Sequence, residues 1–199
     1  MQTARTLTRR RLIAGSAGVA GVGAIAVWSG VELLSGKGSS LEDAEPLALA
    51  LAIERLQAAF YNEAVAGGTL TAELLDFATT AAGHEAEHAA LLAPLVPDPA
   101  DEPAYDFGDD TRDPAAFAAA AASLEDLAVA AYNGIIPGLS DRGLGTAGRI
   151  VSVDARHAAW IRAINGDDPA AEATDPGLDA RQVVERAELE AAHGVGSTR

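Results

Sequence analysis

The sequence predicts an all-α domain, a four-helix bundle made of two copied helical hairpins joined by one long crossover. Three observations predict it. First, Glu54–Asn62 (ERLQAAFYN) and Glu125–Asn133 (EDLAVAAYN) match at an offset of 71 residues. Glu85-Ala86-Glu87-His88 is answered by Asp154-Ala155-Arg156-His157 at an offset of 69. Two nearly equal offsets mark an internal duplication. Second, the apolar runs are rich in alanine, the best helix former, and are bounded by proline and glycine. Third, a proline- and aspartate-rich stretch separates the two copies.

Taken in order, Arg9-Arg10-Arg11 precede a Gly/Ala-rich apolar run reaching about Trp28. This charged and then apolar pattern looks like a twin-arginine export signal over residues 1–30, which implies the export machinery as a partner and a location beyond the cytoplasmic membrane. Ala24-Ile25-Ala26 is the candidate cleavage site. The alternative is an uncleaved anchor in contact with the membrane, although the run falls short of the roughly 20 apolar residues a span needs. Residues 31–42, with Ser35-Gly36-Lys37-Gly38, read as a linker.

The bundle is expected over residues 43–166. Its first helix spans about Asp43 to Ala66, capped by Ser40 or Asp43, with Pro46 in the first turn and Gly67-Gly68 after the end. The second runs from about Thr71 to Ala93 and stops at Pro94. The short loop between them makes an antiparallel pair. The third starts at Asp113-Pro114, a cap followed by proline in the first turn, and stops before Pro137-Gly138. The fourth covers about Thr146 to Asn165, with Gly166 after its end. In the tail, 167–199, Asp179 and Gln182 begin a short peripheral helix reaching His193.

The connection from Pro94 to Asp113 holds Pro94, Pro97, Pro99 and Pro103. Extended chain of that length reaches roughly 60 Å, against roughly 35 Å for a 23-residue helix. The segment can therefore cross the whole bundle and let helices two and three run parallel. Tyr105 and Phe107 would tack it down.

Composition excludes some chemistry. There is no cysteine, so disulfides, thiolate metal sites and cysteine nucleophiles are ruled out, and any metal must be held by Asp, Glu and His. The net charge is −15. Four of the 14 basic residues are Arg5, Arg9, Arg10 and Arg11, so the remainder sets ten against 29 acids. Such a surface repels phosphate backbones and argues against nucleic acid.

Each copy supplies one acid, then an acid-x-x-His. Residues three apart share a helix face, and Glu54, Glu85, Glu125 and Asp154 each have alanine or other apolar residues at the facing positions. Burying four unpaired carboxylates is prohibitive. Two divalent cations would neutralise them, and carboxylates mixed with imidazoles suit iron or manganese, with zinc also accommodated. The candidate ligands are Glu54, Glu85, His88, Glu125, Asp154 and His157. Their order and the crossover resemble the ferritin-like di-iron or di-manganese carboxylate proteins. The wording Ala59-Phe60-Tyr61 and Asp154-Ala155-Arg156-His157-Ala158 is similar to exported ferritin-like domains grouped with desiccation-related proteins. The resemblance implies Glu54 and Glu125 as terminal ligands, Glu85 and Asp154 as bridges, and one histidine on each metal. The family normally has Glu, one methylene longer, where Asp154 stands. It also implies a dinuclear centre reacting with oxygen or peroxide. The rival is a non-catalytic stress or envelope-binding protein, and a plain metal buffer is a third reading.

Other residues are read as structural. His84 aligns with Val153 of the second copy and is expected to be a partly buried structural histidine. Tyr61 and Tyr132 lie two turns, roughly 10 Å, from the acid on their own helix, and are expected to be core tyrosines with satisfied hydroxyls. Phe60 and Trp160 are expected in the core or under the crossover.

Overall fold

A computed structural model describes residues 43–101 and 104–193, with side chains described as far as 186. The signal-like segment and the linker ahead of residue 43 lie outside the described residues. The described chain is all-helical: α1 (Ala44–Gly67), α2 (Ala72–Leu92), α3 (Pro114–Ile135), α4 (Asp141–Asn165) and α5 (Ala180–His193).

Two apolar clusters fix the helix directions. One joins Phe60, Tyr61 and Ala64 at the end of α1 to Leu74 and Phe77 early in α2, Phe117 early in α3, and Ile161 late in α4. The other joins Leu47 and Leu51 at the start of α1 to Leu92 at the end of α2, Tyr132 late in α3, and Ala147 and Ile150 early in α4. So α1 and α4 run one way, and α2 and α3 run the other. That arrangement requires the connection between α2 and α3 to travel the bundle's length, and it does. Arg55 donates to the Ala100 carbonyl at 2.8 Å. Further on, Thr111 donates to Glu63 at 2.7 Å. Phe107 meets Phe60 edge-on at 5.3 Å, and Tyr105 stacks on Phe107 at 5.6 Å, so the two aromatics hold the strap as expected. The strap is not wholly irregular, since Ala93–Leu95 and Gly108–Thr111 form single 3₁₀ turns.

The helix ends follow local chemistry. Asp113 accepts from the backbone N–H groups of Ala115 and Ala116, both at 2.9 Å, and Pro114 opens α3 with the donor-free residue that position tolerates. Gly68 and Gly166 take left-handed φ of 68° and 80° to end α1 and α4. Two expectations need correcting. Helix α4 begins at Asp141 rather than near Thr146, because Ser140 caps it and Gly143 and Gly145 remain helical despite their poor propensity. Asp43 does not cap its own helix. Its carboxylate accepts from the backbone N–H of Ser140 at 2.7 Å and from the Ser140 hydroxyl, tying the start of α1 to the start of α4. Those bonds, led by the hydroxyl's, hold its carboxyl below the usual range.

Trp160 is more exposed than expected, at 36%, and meets Phe77 edge-on at the bundle's side. Helix α5 is more firmly docked than its thin apolar face suggests. Val183 is completely buried with Leu49, Ile53, Leu127 and Ala131. The Leu178 N–H donates to the Ala130 carbonyl at 2.9 Å. This close approach relies on Gly134, where a Cβ would be driven into the Leu178 backbone. Gly134→Ala should therefore lower the unfolding free energy by about 1–3 kcal/mol, in the range for overpacking, as read by a lower denaturation midpoint. An unchanged midpoint would show that the segment before α5 is not seated on α3.

Candidate metal centre

The four central helices each bring one acid to the same level of the bundle. Glu54 on α1, Glu85 on α2, Glu125 on α3 and Asp154 on α4 are all fully buried. His88 and His157, one turn after their acids, are nearly so. Small alanines around them, Ala81 and Ala121 among them, let the helices approach closely.

The six side chains converge as two overlapping groups. Glu54, Glu85, His88 and Asp154 place one potential ligand atom each within 4.8 Å of one another, as do Glu85, Glu125, Asp154 and His157. Glu85 and Asp154 belong to both groups. The histidines point Nδ1 inward. His88 Nδ1 lies 2.8 Å from Glu85, 3.2 Å from Glu54 and 3.4 Å from Asp154. His157 Nδ1 lies 3.0 Å from Glu85 and 3.6 Å from Glu125. Glu87 and Arg156, which interrupt the two acid-x-x-His patterns, both face solvent.

Two tyrosines brace the α1 and α3 carboxylates, and they do so crosswise. Tyr132 on α3 donates to Glu54 on α1 at 2.5 Å, and Tyr61 on α1 donates to Glu125 on α3. Their hydroxyls are satisfied, as expected, but by the acid of the other copy. Distance along one helix could not show this, because the partner stands on the antiparallel neighbour. Burial, followed by the adjacent carboxylate, pushes both phenols well above their ordinary range, so they remain donors.

His84 is a correction. It is exposed rather than partly buried, its Nδ1 lies 2.9 Å from His157 Nε2, and the two rings stack at 5.1 Å. One of these nitrogens donates to the other, which fixes the outward edge of the His157 ring. The second copy has Val153 in this place, so His88 receives no matching contact. Burial, then the positive charge on His157, lowers the His84 pKa.

The electrostatics are those of an anionic pit holding protons. Burial pushes Glu54 up to about 8 against the hydrogen bond from His88. Burial also raises Glu125 and, reinforced by Glu54, Glu85 and Glu125, Asp154. Glu85 goes the other way, because the adjacent His157 and His88 imidazoles, together with Glu54, outweigh its burial. Burial disfavours the charged imidazoles, yet the adjacent acids win, holding His88 at about 10 and His157 at about 9.

The residues present fit divalent metal. Glu85 Oε1, Glu125 Oε2, both Asp154 oxygens and His157 Nδ1 are buried with no hydrogen-bond partner. The His157 nitrogen sits at ion-pair distance from Glu85 Oε1 but is not aligned with it. Buried polar atoms are ordinarily satisfied. A set of oxygens and one nitrogen facing each other without aligned donors is what a cation between them would satisfy.

Without metal, protons must do that work. Glu54, His88 and His157 each bind a proton more tightly folded than unfolded, so their contribution is full below the unfolded value and is lost as pH rises through the folded one. Glu85, shifted down, acts only on the acid side of that window. The chelator-treated protein should therefore unfold at steadily lower denaturant concentration from roughly pH 5 to pH 9. A flat or rising midpoint would contradict the proton-filled pit.

The profile of a family described as a ferritin-like domain matches residues 42–167. No curated protein matches the chain. With the crossover between α2 and α3 and a shared layer of acids from all four helices, that match establishes that the chain belongs to the ferritin-like family.

Proposed function

We propose that Glu54, Glu85, His88, Glu125, Asp154 and His157 hold two divalent metal ions, iron or manganese, and that the chain is an exported oxidoreductase acting on dioxygen or peroxide. The observation that supports this most is the set of buried, unsatisfied oxygens shared between two overlapping ligand groups. Two divalent ions match four carboxylates in charge and leave the imidazoles neutral, as ligation requires. Iron and manganese are favoured over zinc because four oxygen-donor residues outnumber two nitrogens.

Glu85 and Asp154, common to both groups, would bridge. Glu54 with His88, and Glu125 with His157, would complete one ion each. Bound there, a redox-active pair would supply the electrons that reducing an oxygen–oxygen bond takes. The chain's own part is to fix geometry. Tyr132 and Tyr61 lock one oxygen of each terminal carboxylate, leaving the other for ligation. His84 holds the His157 ring with Nδ1 facing the acids. The surrounding alanines and aromatics exclude bulk water.

Export rests on Arg9-Arg10-Arg11 ahead of the apolar run, and fractionation of expressing cells tests it. Elemental analysis of the purified protein should give near two metal ions per chain, and His88→Ala and His157→Ala should each empty one or both positions. No metal in the parent, or unchanged metal in both variants, would overturn the centre. Oxygen or peroxide consumption by the loaded protein then separates an oxidoreductase from a metal buffer. His84→Ala should weaken one of the two manganese-binding steps about 10–100-fold, the range for an outer contact to a ligand. Calorimetric titration reads this, and equal binding curves would show that His84 positions nothing.

A further inference from the structure

One buried polar side chain beside the candidate metal centre has no partner in it. Gln57 is fully buried, and neither its amide nitrogen nor its amide oxygen has a hydrogen-bond partner. An unmet buried donor and an unmet buried acceptor are both costly, and an apolar residue of the same shape would avoid the penalty. The second copy makes that replacement, because Ala128 stands 71 residues on and is fully buried too.

The crossed tyrosine bonds place Gln57. Glu54 pairs with Tyr132 and Tyr61 pairs with Glu125, so the stretch 54–61 of α1 faces the stretch 125–132 of α3 in antiparallel fashion. Gln57 and Ala128 lie near the middle of their stretches and therefore face one another across the pair. Gln57 is three residues after Glu54 and four before Tyr61, so all three share one face of α1. Both flanking side chains are committed to the carboxylate cluster. The amide therefore lies along that lining, on the side formed by α1 and α3, while both histidines come from α2 and α4. Opposite it stands a methyl group rather than a second long side chain.

We propose that Gln57 is the recognition group of a small-ligand subsite beside the metal centre, and that the ligand is a peroxide rather than dioxygen. The proposal rests on the metal reading given above. An amide offers an N–H to donate and a carbonyl to accept. Hydrogen peroxide has O–H groups for the carbonyl and oxygen lone pairs for the N–H, so both unmet atoms are satisfied together. Dioxygen has no hydrogen to give and would leave the Gln57 oxygen unpaired. The same asymmetry allows a site built for a hydroxyl-bearing substrate to reject an analogue lacking it.

The test uses the zinc-loaded full chain, in which peroxide can bind without redox turnover. The sequence has only Gln2, Gln57 and Gln182 as glutamines, so the side-chain NH₂ signals are few, and those of Gln57 are identified by their loss in Gln57→Met. Titration with hydrogen peroxide should shift the Gln57 NH₂ signals and leave those of Gln2 and Gln182 in place. In iron- or manganese-loaded protein, Gln57→Met should raise the KM for peroxide roughly tenfold, with metal content unchanged. Gln57→Ala, which copies the second repeat, should behave alike and guards against a packing artefact of methionine. Gln57 signals that ignore peroxide, or a peroxide KM unchanged in both variants, would overturn the subsite and leave a buried water as the amide's partner. A parent chain that holds no metal would overturn the centre itself, which is a separate failure.

Discussion

Four carboxylates buried at one level of an alanine-rich bundle are the constraint around which the described structure is arranged. Each would be prohibitive alone in an apolar interior. Together they are tolerable only if something positive is shared among them, and the two imidazoles supply part of it. Tyr61, Tyr132 and the inward Nδ1 of His88 satisfy some of the oxygens. The oxygens left unsatisfied belong to Glu85 and Asp154, which the two groups share, or are the free arm of Glu125. Even α3, long and apolar enough by length and composition to cross a membrane, carries Glu125 near its middle and packs it into this layer.

The duplication sets up a near two-fold arrangement, and the departures from it carry the chemical character of the centre. His84 faces the His157 ring where the other copy has Val153. Gln57 is polar where the other copy has Ala128. Asp154 is one methylene shorter than its counterpart Glu85. Helix α5 covers the α1–α3 side and leaves the opposite side, with His84, open to solvent. A symmetric scaffold thus holds a centre whose two halves differ in hydrogen bonding, in solvent access and in reach.

Much of this was legible in the sequence, because the acids sit among alanines at helical spacing and recur at a fixed offset. The crossover could be read from its prolines and from arithmetic on its length. What escaped the sequence were contacts between elements. Tyr132 meets Glu54 across two helices, so spacing along either helix carried no sign of it. Asp43 looks like a cap for the helix that follows it, yet binds Ser140, the cap of α4, 97 residues away in sequence. The start of α4 was hidden by Gly143 and Gly145, which read as loop and are helical. His84 looked structural because its repeat partner is valine, and nothing in the sequence marks Gln57, since glutamine on a helix is ordinarily solvated. Only its complete burial and its alanine counterpart set it apart.

The bond between Asp43 and Ser140 also bears on how far the polypeptide can be shortened from its beginning. The Asp43 side chain is the clasp that fastens the beginning of the first helix to the beginning of the fourth. A shortened chain that is to keep this clasp must therefore begin no later than Asp43. A cut one residue too far would strip the acceptor from Ser140 and loosen the end of the molecule where both helices begin.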